Sequence, residues 1–196
     1  ASTDAVRSFN AFPDYPSFIG GATLATADLN GASDGSDKQQ IIVASGSGMS
    51  GLLRIFDVEK NQINYAPVRQ IQDPDNGFRG GLNVAVGDVN GDKIADIITG
   101  AGNSGNGWVK IYDGKLSGSS TPLEAFQAFT DISKSAPTHV VARDINGDGR
   151  TEIFTAQGAD GRNSFQMKRF KALTGQMVDT YFASQSDFYG GGMFLG

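Results

Sequence analysis

Two short stretches place oxygen-bearing side chains at the same four places. They are Asp88-Val89-Asn90-Gly91-Asp92-Lys93-Ile94-Ala95-Asp96 and Asp144-Ile145-Asn146-Gly147-Asp148-Gly149-Arg150-Thr151-Glu152, with oxygens at the first, third, fifth and ninth positions. The chemistry suited to such a set is the binding of a hard cation. Calcium takes six to eight oxygens at about 2.3–2.6 Å. A short loop supplies them when alternate side chains turn inward and a backbone carbonyl fills a remaining place. Ile94 and Arg150 occupy the seventh position, where that carbonyl would come from, and their side chains can point away. Gly91 and Gly147 permit the tight curl that gathers the carboxylates. Three acids in so small a loop repel one another, so a loop without a cation is expected to be loose. The plainer alternative is that Asn-Gly and Asp-Gly simply make hairpin turns. A turn needs two such residues, not oxygens at four regular positions twice over.

A third stretch opens in the same way, Asp28-Leu29-Asn30-Gly31, and then departs. It runs four residues longer before Ile41, and Gln40 stands where the closing carboxylate falls in the other two. Asp34 or Asp37 is left to make up the missing oxygen. This loop is expected to hold a cation weakly or not at all.

Other chemistries find little support. The absence of cysteine removes thiolate zinc sites, disulfide frameworks and cysteine nucleophiles together. The single histidine, His139, leaves little room for a histidine-based triad or a multi-histidine metal site. A net charge of −5 argues against a nucleic-acid partner, because phosphate backbones are met by basic surface. No run of eighteen apolar residues exists, so no membrane-spanning helix is expected. Trp108 is read as a packing residue, with a ligand contact as the minority alternative.

The elements that position the loops repeat with them. The leading aspartates lie 60 and then 56 residues apart, and a further copy begins at Gly191-Gly192-Met193-Phe194-Leu195. Before each loop comes an alternating run, as in Leu82, Val84 and Val86, which reads as a strand. After it come the runs Ile41-Ile42-Val43, Ile97-Ile98-Thr99 and Ile153-Phe154-Thr155, then a glycine-rich link. A third strand carries a cation at one matching place, Arg54, Lys110 and Lys168, which points to a shared architectural contact. A fourth holds Phe126 and Phe129, with Phe9 and Phe12 as the equivalent pair.

Four antiparallel strands per repeat, without helical periodicity, predict an all-β fold of β-propeller blades. The chain reads as one propeller segment over 1–196, with blades at about 20–79, 80–135 and 136–190. Residues 6–12 and 191–196 then belong to neighbouring blades, the run Val6 to Phe12 being a last strand. Three blades are fewer than closed propellers use, so a longer chain or further copies would complete the ring. Open blade faces at both ends are expected to drive self-association.

These units resemble the FG-GAP or VCBS-type repeats of integrin α-chain propellers and their bacterial and fungal relatives. The motif that carries the resemblance is Asp-x-Asn-Gly-Asp, a carboxylate four residues on, and then two apolar residues. A helix-flanked calcium loop opens similarly but closes on an acid at its twelfth position, not its ninth. The resemblance implies calcium between the first two strands of a blade, held by Asp88, Asn90, Asp92, Ile94 and Asp96. It implies the same of Asp144, Asn146, Asp148, Arg150 and Glu152, and more weakly of Asp28 and Asn30, with Asp34 as the acid read above as a substitute in that loop. It also implies a non-catalytic recognition or adhesion module, secreted or at the cell surface, with a protein or glycan ligand and in some relatives lectin activity. The competing readings are a calcium-dependent hydrolase or lyase and a purely structural repeat. Against an enzyme, the acids are periodic, whereas an active site is one irregular constellation.

Overall fold

Alternating and β-branched runs form strands throughout, and the turns between them are set by the Asx- and glycine-rich links. The computed structural model describes residues 8–31, 39–59, 62–63, 65–75, 77–130, 136–158 and 166–182. They form three antiparallel sheets. The first contains β1 (Ala22–Ala27), β2 (Gln40–Ser45), β3 (Leu52–Glu59) and β5 (Arg69–Gln72), with the two-residue β4 (Gln62–Ile63) paired to the far end of β3. The second is β6 (Leu82–Gly87), β7 (Asp96–Ala101), β8 (Trp108–Tyr112) and β9 (Glu124–Gln127). The third is β10 (Thr138–Arg143), β11 (Glu152–Gln157), β12 (Gln166–Lys171) and β13 (Gln176–Phe182), with one 3₁₀ turn at Ala172–Thr174. Each sheet follows chain order, as blades do, and the all-β expectation is met.

The register is the same in all three. Ala27 faces Gln40, Gly87 faces Asp96 and Arg143 faces Glu152, so each oxygen-rich loop spans the first hairpin of its sheet. One sheet alone leaves a face wet, and stacking supplies the cover. Ile42, Ala44, Leu53, Ile55 and Ile71 of the first sheet pack on Leu82, Ile97 and Tyr112 of the second. Ile98, Val109, Ile111 and Phe129 of the second pack on Val140, Ile153 and Phe170 of the third. At the seam Gly100 on β7 lies so close to β10 that a Cβ there would come 2.2 Å from the Thr138 carbonyl oxygen.

The opposite face of the first sheet is covered differently. Phe12 is buried against Val43, Met49, Leu52 and Phe56, with Phe9 and Phe18 beside it. Residues 8–12, the described part of the run expected as a fourth strand, are not a strand. Among the described residues no neighbouring strand offers them a ladder, and their aromatic rings serve as an irregular cover. Phe129 likewise lies just beyond β9, where its ring seals the second seam. The further copy at 191–195 falls outside the described residues, as does Val6.

The recurring cations each reach back to the segment that enters their blade. Arg54 donates to the Ala11 carbonyl at 2.9 Å, pairs with Asp14 and lies over the Phe12 ring. Lys110 meets Asp73 at 2.6 Å, and both are nearly buried. Lys168 donates to the Ala128 carbonyl at 2.9 Å and lies over the Phe129 ring. Different partners satisfy the same need, a positive charge buried or half-buried on the third strand.

Candidate metal centre

The second loop begins where β6 ends. Asp88 accepts from the N–H of Gly91 at 2.6 Å through Oδ1 and from that of Lys93 at 2.7 Å through Oδ2. Asn90 Oδ1 accepts from the Asp92 N–H at 2.8 Å, and Asp92 Oδ1 from the Ile94 N–H at 3.0 Å. Successive Asx turns therefore wind the backbone around the side-chain oxygens. The curl needs left-handed backbone at the fourth and sixth positions, φ 83° at Gly91 and 69° at Lys93.

The third loop repeats this geometry atom for atom. Asp144 accepts from Gly147 at 2.7 Å and Gly149 at 2.9 Å, Asn146 from Asp148 at 2.8 Å, and Asp148 from Arg150 at 2.8 Å. Those N–H donors hold the Asp144 carboxyl below the usual carboxylate range. The shape of both loops is thus built on hydrogen bonds from their own backbone donors.

The ninth position does a second job. Asp96 accepts the Val89 N–H at 3.1 Å and the Gly114 N–H at 3.2 Å, and Glu152 accepts the Ile145 N–H at 3.1 Å. In the first loop Gln40 does the same for the Leu29 N–H at 2.7 Å, while its amide donates to Asp57. Gln40 thus keeps the structural latch and lacks the charge. Asp28 Oδ1 accepts from Asn30 and Gly31, and Asp34 lies outside the described residues.

Charge is distributed unequally. Asp96 is buried, and burial pushes its pKa up to about 6 against the pull of its two N–H donors. Burial also raises Asp92, but hydrogen bonds from Lys115 and the Ile94 N–H outweigh it and hold that carboxyl low. The Lys115 ammonium sits 2.6 Å from Asp92 Oδ2. In the third loop Asn146 bridges the acids instead, donating to Asp148 Oδ2 at 3.1 Å and Glu152 Oε1 at 2.8 Å.

The donor set fits calcium in kind: each loop offers three carboxylates, an amide oxygen and a carbonyl, with no nitrogen or sulfur donor required. The Lys115 ammonium on Asp92 already offsets part of the second loop's negative charge. The acids still spend their oxygens on backbone donors, and among the described residues no three acidic or histidine side chains converge as a ready metal cage.

The seventh-position side chains do turn away, each onto the preceding loop. A Cβ on Gly31 would lie 3.3 Å from Ile94 Cγ1, and one on Gly91 would lie 3.0 Å from Arg150 Nε. The Thr151 N–H also donates to the Asp88 carbonyl at 2.7 Å, tying the third loop to the second.

His139 sits on β10 beside a groove of about 350 Å³ that includes Thr23 and Asn83, its counterparts on β1 and β6. Thr23 donates to the Leu82 carbonyl and Asn83 to that of Thr138, so this register position links neighbouring first strands. Burial lowers the His139 pKa. Trp108 lines a small space with Asp73, Phe78, Leu82 and Lys110, as a packing residue does.

Sequence reasoning missed Lys115 and Arg69. Arg69 on β5 crosses the first seam and donates to the carbonyls of Asp113, Lys115 and Ser119 at 2.6, 2.8 and 2.7 Å. Neither recurs in the repeat. The available signal was the reverse: a cation at 115 where register puts Leu173 in the third blade. A family model for an FG-GAP-like repeat matches residues 88–155, from the second loop through the third loop and into β11.

Proposed function

We propose that this chain is a calcium-binding recognition module, non-catalytic, working outside the cell or at its surface with a protein or glycan as ligand. The observation that carries the reading is the repeated Asx geometry of the second and third loops, each closed by an acid at the ninth position. FG-GAP repeats are in general non-catalytic modules, typical of extracellular or surface proteins, which supports both the class and the location. Asp88, Asn90, Asp92, Asp96 and the Ile94 carbonyl would hold one ion. Asp144, Asn146, Asp148, Glu152 and the Arg150 carbonyl would hold the other. Bound calcium would supply the charge that lets three acids share one loop, stiffening the hairpin tips against which a ligand docks.

Calorimetry with calcium on chelator-stripped protein tests this, with two sites expected and Asp92→Ala removing one of them. Absence of binding would remove the reading. Calcium should stabilise the fold by mass action, by ~2.7 kcal/mol per site at a hundredfold excess over the dissociation constant. Chelator should therefore lower the melting temperature by several degrees, and an unchanged value would make these loops ordinary turns. Binding on a glycan array would separate a sugar ligand from a protein one.

A further inference from the structure

We propose that Lys115 is a resident counter-cation of the second loop that competes with calcium, so that the third loop fills first. The inference rests on the calcium reading above and concerns how the two loops differ. Lys115 Nζ lies 2.6 Å from Asp92 Oδ2, on an acid of the proposed ligand set.

Its backbone is fixed from several sides. The Lys115 N–H donates to Asp113 Oδ1 at 3.0 Å, and its carbonyl accepts from Arg69 Nη1 at 2.8 Å and the Gly118 N–H at 2.7 Å. The neighbouring Gly114 N–H donates to Asp96 Oδ1, which docks the whole turn on the second loop. Arg69 belongs to the preceding blade and is itself buried, so the turn is held across a seam. The lysine stem thus starts from a backbone held beside the loop, within reach of Asp92.

The third loop has no equivalent. Tyr112 pairs with Ile97 as Phe170 pairs with Ile153, so the residue matching Lys115 is Leu173 in the 3₁₀ turn. There the acids are bridged by Asn146, a neutral donor that turns aside without breaking an ion pair. A divalent ion entering the second loop must displace a positive charge or approach beside it. In the third, among the described residues, no ion pair is made to Asp144, Asp148 or Glu152, and the Arg150 side chain turns away onto Gly91.

Calorimetric titration with calcium reads each loop alone in the full chain: Asp144→Ala leaves the second, Asp88→Ala the third. The second loop should bind roughly threefold to tenfold more weakly than the third, the scale of an exposed ion pair acting on a divalent ion. Lys115→Met added to Asp144→Ala should close that gap, Lys115→Gln should do the same, and Lys115→Arg should preserve it. Neither neutral variant should alter the third loop. A gap unchanged by both neutral variants would overturn the assignment, as would a gap closed equally by arginine, which would mark a structural role. Absence of calcium binding in the wild-type chain would instead sink the calcium reading, and this inference with it.

Discussion

Asp96 shows how one side chain can hold opposed demands. It latches the loop to the strand through two N–H donors, yet its burial raises its pKa to about 6. A carboxyl whose folded pKa exceeds its unfolded value of ~3.9 binds protons better in the native state. Its contribution is therefore most favourable below the unfolded value and is lost as pH rises through about 6. In chelator, wild-type stability relative to Asp96→Asn should fall between pH 4 and 6.5, by up to ~3 kcal/mol. Denaturant unfolding across that range measures it, and a constant difference would contradict it. Calcium affinity should move the other way, rising through the same window as the proton leaves.

At the level of elements, the cation on each third strand ties the blade to its entering segment. Lys110 and Asp73 are the deepest such pair, and removing one partner strands a buried charge. Lys110→Ala should cost ~3–5 kcal/mol by that argument. Arg54→Ala should cost less, because Asp14 is 69% exposed and water can take over its solvation. Thermal unfolding of the two variants ranks them, and equal losses would refute the distinction. Gly100→Ala should open the second seam, where its methyl would meet the Thr138 carbonyl, at ~1–3 kcal/mol. The recurrence of the cation made this contact legible in the sequence, and the loops were legible because Asx and glycine act within a few residues of themselves. Arg69 and Lys115 were not, since each appears once and works across a turn or a seam. The aromatic pair Phe9 and Phe12 misled in a specific way. Its spacing matches Phe126 and Phe129, of which Phe126 lies on β9 and Phe129 just beyond it, but residues 8–12 keep the aromatic cover without the strand.

For the molecule as a whole, the two end blades differ. The first leaves Leu24 68% and Ile19 96% exposed beside Phe12 and Phe18, on the side where the second blade receives its neighbour through Leu82 and Val84. On the other side the third blade carries Arg169, paired with Asp179, where the first two have Ile55 and Ile111. Burying that ion pair against apolar surface is costly, so head-to-tail stacking of copies is disfavoured. Pairing of one first blade with another would be an isologous contact, which closes at two. Light scattering over a concentration series should show a dimer without longer oligomers, and Leu24→Lys should return a monomer. A wild-type monomer at high concentration, or open-ended growth, would refute this. The crossing of each seventh-position side chain onto the preceding loop has a consequence for descent. Ile94 over Gly31 and Arg150 over Gly91 bind residues some sixty positions apart into single steric units. A lineage that enlarges the fourth position of one repeat must trim the seventh position of the next. Covariation among related chains should therefore run from each repeat to its successor, offset by one blade, rather than within a repeat.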